Sequence, residues 1–219
     1  MNMIERGVHF GDIHSFHDLN LILAPFVPTP AKPKTSYIDI PYGDGSLDLT
    51  EALGKVTYQD RDFTFTFTVN PLEDMSFDEK VAQVSNALNG LKCKITLDRD
   101  SDYYWDGRLS VDSYKQDGNL KQIVVKATVR PYKFKQKETV VEVQATPALQ
   151  TITLTNGRKS VVPVITVTGM SARITFGNSS QHLSVGTHKI LDLCLEEGNT
   201  DIQVIGDATI TFTYQEGEL

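Results

Sequence analysis

Lys126-Ala-Thr-Val-Arg-Pro-Tyr-Lys-Phe134 is the stretch on which the organisation of this chain turns. A β-strand runs into Pro131, and proline has no N–H to give a ladder, so the strand ends there or survives only at an edge. Upstream of the seam the sequence reads as a β-rich module holding one well-capped helix. Downstream it reads as short strands and turns with no helix. Two unlike β modules joined at Arg130-Pro-Tyr-Lys-Phe134 make a building block rather than an enzyme.

Working back from the seam, Arg61 to Val69 is the clearest strand. Phe63, Phe65, Phe67 and Val69 occupy one face and Thr64, Thr66 and Thr68 the other, a period of two without a break. Large apolar residues at that spacing are core, packed against a second layer. Ser76-x-x-Glu79 then forms a capping box, in which the serine hydroxyl accepts from the N3 amide and the glutamate returns to the cap amide. Phe77, Val81, Val84, Leu88 and Leu91 recur as one apolar stripe, and Gly90 suits the left-handed position that closes the helix. A helix of about 15 residues on a sheet gives this module an α+β character. Leu120–Val129 and Tyr103–Tyr114 read as a hairpin joined at Gln116-Asp-Gly-Asn119, with Asp117-Gly118 as the tight turn.

Near the N-terminus, Pro25-Phe-Val-Pro-Thr-Pro-Ala-Lys-Pro33 places four prolines in nine positions, which favours an extended path. Such a segment is either a surface loop or an arm that leaves its own module to lie on a neighbour. For an arm, Phe26 and Val27 supply the apolar anchor, and Phe26, Val27, Pro28, Pro30 and Tyr37 are the candidate interface residues. Tyr37 to Ile40 alternates and leads into the turn Pro41-Tyr-Gly-Asp-Gly45, with two glycines available for positive φ.

Forward from the seam, strands fall at Thr139–Val143, Thr151–Leu154, Val161–Thr168, Ala172–Phe176, Gln181–Val185, Lys189–Leu195, Ile202–Ile205 and Ala208–Tyr214, with turns at Asn156-Gly157, Gly177-Asn178, Gly198-Asn199 and Gly206-Asp207. Eight short strands at this spacing indicate a sandwich or barrel.

The 219 residues carry a formal net charge of −7 and a pI near 5.2. That sign repels nucleic acid and anionic lipid. The densest basic cluster, Arg130, Lys133, Lys135 and Lys137, reads as a solvated strand or linker. Cys93 and Cys194 match no CxxC or Cys/His ligand pattern, so packed, reduced thiols are expected. No apolar stretch reaches the ~18 residues of a membrane span, and the opening residues lack the apolar core of a signal peptide. The expected site of synthesis and folding is a cytoplasm.

No catalytic constellation emerges. Asp98-x-Asp100-x-Asp102 opens like a calcium loop, but Tyr103 stands where the sharp-turn glycine is needed and Leu109 where the bidentate glutamate is needed. Asp98 is therefore read as part of a solvated acidic loop. His9, His14 and His17 sit with Asp12 and Asp18 at no zinc-ligand spacing. Catalytic, cofactor and metal residues are accordingly expected to be none.

Several segments taken in order resemble one family, the distal tail proteins of long-tailed bacteriophages and prophages of Gram-positive bacteria. They are Gly7-Val-His-Phe-Gly-Asp12, Tyr37-Ile-Asp-Ile-Pro-Tyr-Gly-Asp-Gly-Ser-Leu-Asp-Leu49, Arg61-Asp-Phe-Thr-Phe-Thr-Phe67 with the capped helix, and Val129-Arg-Pro-Tyr-Lys-Phe134. In the second module Leu195-Glu-Glu-Gly-Asn-Thr-Asp-Ile-Gln-Val204 and the final strand join them. The resemblance implies a mainly β protein, with a ring-forming domain over 1–133 and a galectin-like sandwich over 134–219. It further implies a homohexameric structural protein of the virion tail tip, joining the tail tube protein to tail-associated, fibre or receptor-binding proteins, and no enzyme. The alternative reading is a carbohydrate-binding sandwich for host adhesion, for which an aromatic ring must lie open on the second module.

Overall fold

In the computed structural model, which describes residues 7–52, 54–72 and 74–219, the phenylalanine alternation becomes a central strand with Phe63, Phe65 and Phe67 fully buried. The chain divides into two units, Met1–Lys133 and Phe134–Leu219. The protein is mainly β with one helix, as expected.

The first unit is built on β1 (Val8–Phe10), β2 (Ile13–His14), β3 (Leu21–Leu23), β4 (Tyr37–Asp39), β5 (Ser46–Asp48), β6 (Arg61–Val69), α1 (Phe77–Leu88), β7 (Lys92–Leu97), β8 (Tyr103–Asp117) and β9 (Leu120–Val129). Seven strands form one antiparallel sheet in the order β2-β1-β7-β8-β9-β6-β3, while β4 and β5 pair only with each other. Phe65 lies at the centre of the core face, its ring 5.5 Å from Phe10 and 6.3 Å from Phe67. Trp105 meets Phe63 edge-on at 5.3 Å.

The capping box forms as read, with Glu79 N–H donating to Ser76 Oγ at 3.3 Å and Ser76 N–H to the Glu79 carboxylate at 3.1 Å. The helix stops at Leu88 after 12 residues, with Gly90 at φ 82° just beyond. Val84 and Leu88 are fully buried, but Lys80 is buried where Val81 stays half-open. A lysine stem can cover apolar surface while its head keeps a polar partner, here Gln83 Oε1 at 2.8 Å.

One detail of the hairpin differs from the sequence reading. The Asp117↔Leu120 pair makes Gly118-Asn119 the two-residue turn, one position later than expected. Gly118 at φ 56° supplies the positive φ required at the first turn position.

The second unit begins within β10 (Lys133–Lys135), which pairs with β17 (Gly217–Glu218), and continues through β11 (Thr139–Ala145), β12 (Gln150–Asn156), β13 (Val164–Phe176), β14 (Ser179–Leu183), β15 (Gly186–Lys189) and β16 (Gly198–Tyr214). Where the sequence suggested four short strands, β13 and β16 are each one long strand. The C-terminal half of β16 pairs with β11 and with the first half of β13, and its N-terminal half pairs with β12 and the second half of β13. The register shifts between Gly169 and Ala172 mark the bend. Gly206, read as a turn, lies inside β16 opposite Ala172, next to the bulge of β13 at Met170-Ser171, and a Cβ there would lie 2.7 Å from Ala172 Cα. Only a residue without a side chain admits that approach. The expected strand Lys189–Leu195 is also corrected. The ladder ends at Lys189, and Leu193 and Leu195 are buried from a loop tied by a single bridge to Val161.

Candidate assembly surface

The Pro-rich segment hugs its own unit before it departs. Ala24 N–H donates to Thr66 O at 2.9 Å, Thr29 Oγ1 to Asp62 O at 2.9 Å, and Arg61 Nε to Thr29 O at 2.5 Å. Residues 24–29 therefore run beside β6, the strand that β3 covers only at its far end. Prolines at this position close the edge without offering new donors. Phe26 stacks 4.5 Å from Phe65 and 5.4 Å from Phe63, so its ring belongs to its own core and is not the anchor toward a neighbour. Val27, by contrast, is 81% exposed.

From Pro30 the chain rises into a two-stranded ribbon. Gln59 N–H donates to Lys32 O and Lys34 N–H to Thr57 O, with Pro33 bridging Tyr58, to make the stem. Leu49 N–H donates to Ser36 O, and β4 and β5 then pair in the register Tyr37↔Asp48, Ile38↔Leu47 and Asp39↔Ser46. Side chains alternate across a strand, so Ile38, Leu47 and Ile40 fall on one face and Tyr37 on the other. They are 54%, 53%, 50% and 57% exposed, and Tyr42 at the tip stands fully open. Isolated surface apolar residues are ordinary, but five on one thin ribbon make an apolar surface that no other described residue covers.

The sequence grouped Phe26, Val27, Pro28, Pro30 and Tyr37. The structure sends Phe26 inward, leaves Pro28 half-buried, exposes Val27, Pro30 and Tyr37, and adds Ile38, Ile40, Tyr42 and Leu47. The two-glycine turn was legible; its consequence, a hairpin pairing Ile38 with Leu47 that is too short to hide either side chain, was not. The ribbon is also acidic: residues 35–54 carry Asp39, Asp44, Asp48 and Glu51 and no lysine or arginine. Hydrogen bonds from the Thr50 side chain and backbone hold the Asp48 carboxyl below its usual range.

A second cluster was hidden in sequence because its members are far apart. His9, His14 and Asp98 bring their ligand atoms within 4.8 Å of one another. The hydrogen bonds argue against a metal. His14 Nδ1 accepts from the N–H groups of Phe16 (3.3 Å) and His17 (3.0 Å), which places the ring proton on Nε2, facing Asp98 at 3.2 Å. A nitrogen that carries the proton is not a ligand. Asp98 also accepts from Gly7 N–H at 2.8 Å, so the triad is a clasp on the N-terminal strands, and the solvated-loop reading of Asp98 is corrected.

Other candidates are occupied. Arg130 pairs with Asp106 at 3.3 Å, Lys133 with Asp100 at 3.2 Å and Lys135 with Glu216 at 2.7 Å, which gives three of the four cations in the basic cluster an acidic partner. The second unit's rings, Phe134, Phe176, Phe212 and Tyr214, are all buried, so the carbohydrate reading lacks its stacking surface. Cys93 is half-buried, and burial together with the nearby Asp106 charge pushes its thiol up to about 11. Cys194 is exposed, contrary to the packed thiol expected. Among the described residues no helix is long and apolar enough to cross a membrane.

No protein-family model matches the sequence, and no curated protein matches it. Among solved structures the fold is that of a phage tail hub protein. One match is the SPP1 Dit (gp 19.1) protein, described as a paradigm of the hub adsorption apparatus in phages that infect Gram-positive bacteria. It has a TM-score of 0.68 at 13% identity, over 95% of this chain and 98% of that one. The fold implied by the sequence resemblance is thus the fold present.

Proposed function

We propose that this protein is a ring-forming hub of a phage tail tip, a homohexamer in the virion that joins the tail tube to tail-tip or receptor-binding proteins. The observation that carries the reading is the correspondence of nearly the whole chain, both units included, with the SPP1 hub protein. A fold alone does not specify a function. The exposed apolar ribbon adds an independent reason, because a ring needs a surface that is left uncovered until copies meet.

The first unit carries assembly in this reading, through the ribbon that leaves the Pro-rich segment. The second unit, a sandwich, has no assigned part in assembly. No catalytic step is assigned to any residue. Light scattering and negative-stain images of the purified full-length chain test the proposal. Six-fold rings that bind the tail tube protein of the same phage are expected. A protein that stays monomeric at high concentration and binds neither tube nor tail-tip protein would remove the hub reading.

A further inference from the structure

An aspartate or asparagine followed by glycine can rewrite its own backbone. The glycine nitrogen attacks the side-chain carbonyl carbon, and the missing Cβ leaves that approach unhindered. This chain has five such steps: Asp44-Gly45, Asn89-Gly90, Asp106-Gly107, Asp117-Gly118 and Asn156-Gly157. Ring closure has to turn the peptide between the two residues, so a bond that holds that peptide or the attacked side chain blocks it. Four of the steps are held. Gly90 N–H donates to Leu109 O at 2.9 Å, and the Asn89 side chain accepts from Val111 N–H at 3.1 Å. The Asp106 carbonyl accepts from Arg130 N–H at 3.0 Å. Asn156 is buried, and its Nδ2 donates to Lys159 O and Leu195 O, both at 2.9 Å. Asp117 closes the β8–β9 ladder opposite Leu120, so turning its peptide would part the last rung. Asp44-Gly45 is different. It lies in the exposed tip between β4 and β5, and among the described residues neither the Asp44 carboxyl nor the Gly45 N–H has a hydrogen-bond partner. A Cβ on Gly45 would meet nothing within 4 Å, so the space around the attacking nitrogen is open.

We propose that Asp44-Gly45 is a self-modification site that limits the working life of the ribbon in unassembled copies. The Gly45 nitrogen forms a bond to Asp44 Cγ, the carboxyl C–OH bond breaks, and the N–H proton leaves with that hydroxyl as water. One water then opens the succinimide at either of its two C–N bonds. Opening at Cγ restores aspartate. Opening at the Asp44 main-chain carbonyl carbon leaves Gly45 joined through Cγ, an isoaspartyl link. Nothing is oxidised or reduced, and water is the only co-reactant. The isoaspartyl link draws Cβ into the main chain and lengthens the tip beside the closing pair Asp39↔Ser46. Ile38 and Leu47 form the next rung, so the apolar face they share is displaced with it. The effect on assembly rests on the hub reading, whereas the modification itself does not. A ribbon docked in an assembly is held still, and its tip is protected.

The test ages the full-length chain in warm neutral buffer, titrates isoaspartyl groups with protein-isoaspartate methyltransferase and locates them by peptide mapping. The same chain aged in urea is the reference, in which every one of the five steps is free to react. In the folded chain the label is expected at Asp44, several-fold above Asp117 and absent from Asp106. Asp44→Glu, which would have to close a larger ring, is expected to lose the label. Asp44→Asn, from which ammonia leaves in place of water, is expected to gain it faster. Folded chain labelled equally at Asp44 and Asp117, or unlabelled at Asp44 while the urea sample reacts there, overturns the site. For assembly, isoaspartate is expected to be depleted from rings and enriched among unassembled copies, and Asp44→Glu to keep its ring-forming capacity through ageing. Equal isoaspartate in the two fractions overturns the effect on the ribbon. A fresh wild type that forms no rings removes the hub reading and leaves the Asp44 labelling as it stands.

Discussion

Arg61 donates from Nη1 to the carbonyl oxygen of Pro131, 70 positions further along the chain, at 3.1 Å. The same guanidinium holds Thr29 O through Nε and lies over the rings of Phe63 (5.2 Å) and Trp105 (5.9 Å). One side chain therefore fastens the root of the ribbon and the end of the seam to the core. Tyr58, in the ribbon stem, meets Tyr132 edge-on at 5.9 Å and doubles the link. Burial lowers the Arg61 pKa, but a guanidinium stays charged at any ordinary pH, so the clamp does not titrate.

Replacing Arg61 by methionine should cost about 2–3 kcal/mol, because two carbonyls lose charged donors. Lysine should not restore the loss, since one ammonium cannot reproduce the planar fork that reaches both oxygens. Urea unfolding of the two variants measures the difference. Equal stability of Arg61→Lys and the wild type would show that the fork is not what matters.

Phe65 has no exposed surface and is ringed by Phe10, Phe26 and Phe67. Phe65→Ala should cost about 3–5 kcal/mol as lost transfer energy plus a cavity. A loss below about 1 kcal/mol would mean that the site collapses around the smaller side chain.

Much of the first unit was legible for a simple reason: its signals are local. The Phe63–Phe65–Phe67 alternation, the Ser76–Glu79 box and the Asp-Gly region each determine their own geometry within a few residues. What was illegible depends on distant partners. Nothing near Asp98 announces His14, and nothing near Phe26 distinguishes burial on Phe65 from burial on a neighbour. In the second unit, glycine was the source of error. Gly206 next to Asp207 has the composition of a turn, yet β16 passes straight through it because Ala172 approaches too closely for any side chain. Leu193 and Leu195 show the converse, as alternation reported burial without a ladder.

Gly206→Ala should accordingly destabilise the second unit by about 1–3 kcal/mol through overpacking against Ala172, with added strain from its φ of +158°. Gly118→Ala meets no atom within 4 Å and bears only the cost of its positive φ, so it should lose less. Denaturant midpoints of the two variants settle the order. The reverse order would mean that the strands part easily at the bend.

Ser76→Ala should cost about 1 kcal/mol, the usual worth of a helix N-cap. The Ser76 side chain, followed by its backbone N–H, lowers the Glu79 pKa. That contribution is present above the ordinary glutamate pKa and disappears as pH falls through the depressed folded value. The gap between wild type and Ser76→Ala should therefore narrow in acid. Parallel pH profiles would show that Glu79 does not close the box in solution.

The two thiols should behave oppositely. Exposed Cys194 should alkylate first near pH 8, while Cys93 stays largely unmodified, since the thiolate is the reactive form and burial raises Cys93 to about 11. A raised folded pKa gives stability that is complete below the unfolded value near 9 and is lost as pH climbs toward 11. Cys93→Ala should flatten that alkaline decline. Mass mapping that finds Cys93 modified as fast as Cys194 would overturn the buried-thiol account.

The ribbon should be separable from the fold that bears it. Its stem is closed by Gln59 N–H to Lys32 O and Lys34 N–H to Thr57 O, so a short turn joining Lys34 to Thr57 leaves every bond to β6 in place. Phe26 stays on Phe65, Arg61 keeps Thr29, and the residues removed contribute no buried side chain among those described. Loop length changes closure entropy only slowly, so stability should move by less than about 1 kcal/mol. Assembly, on the other hand, should be lost. The expected result is a ribbonless chain with unchanged unfolding that sediments as a monomer under conditions where the intact chain forms rings. If that chain still forms normal rings, the ribbon is dispensable and the uncovered faces of Ile38, Ile40 and Leu47 serve something other than ring closure.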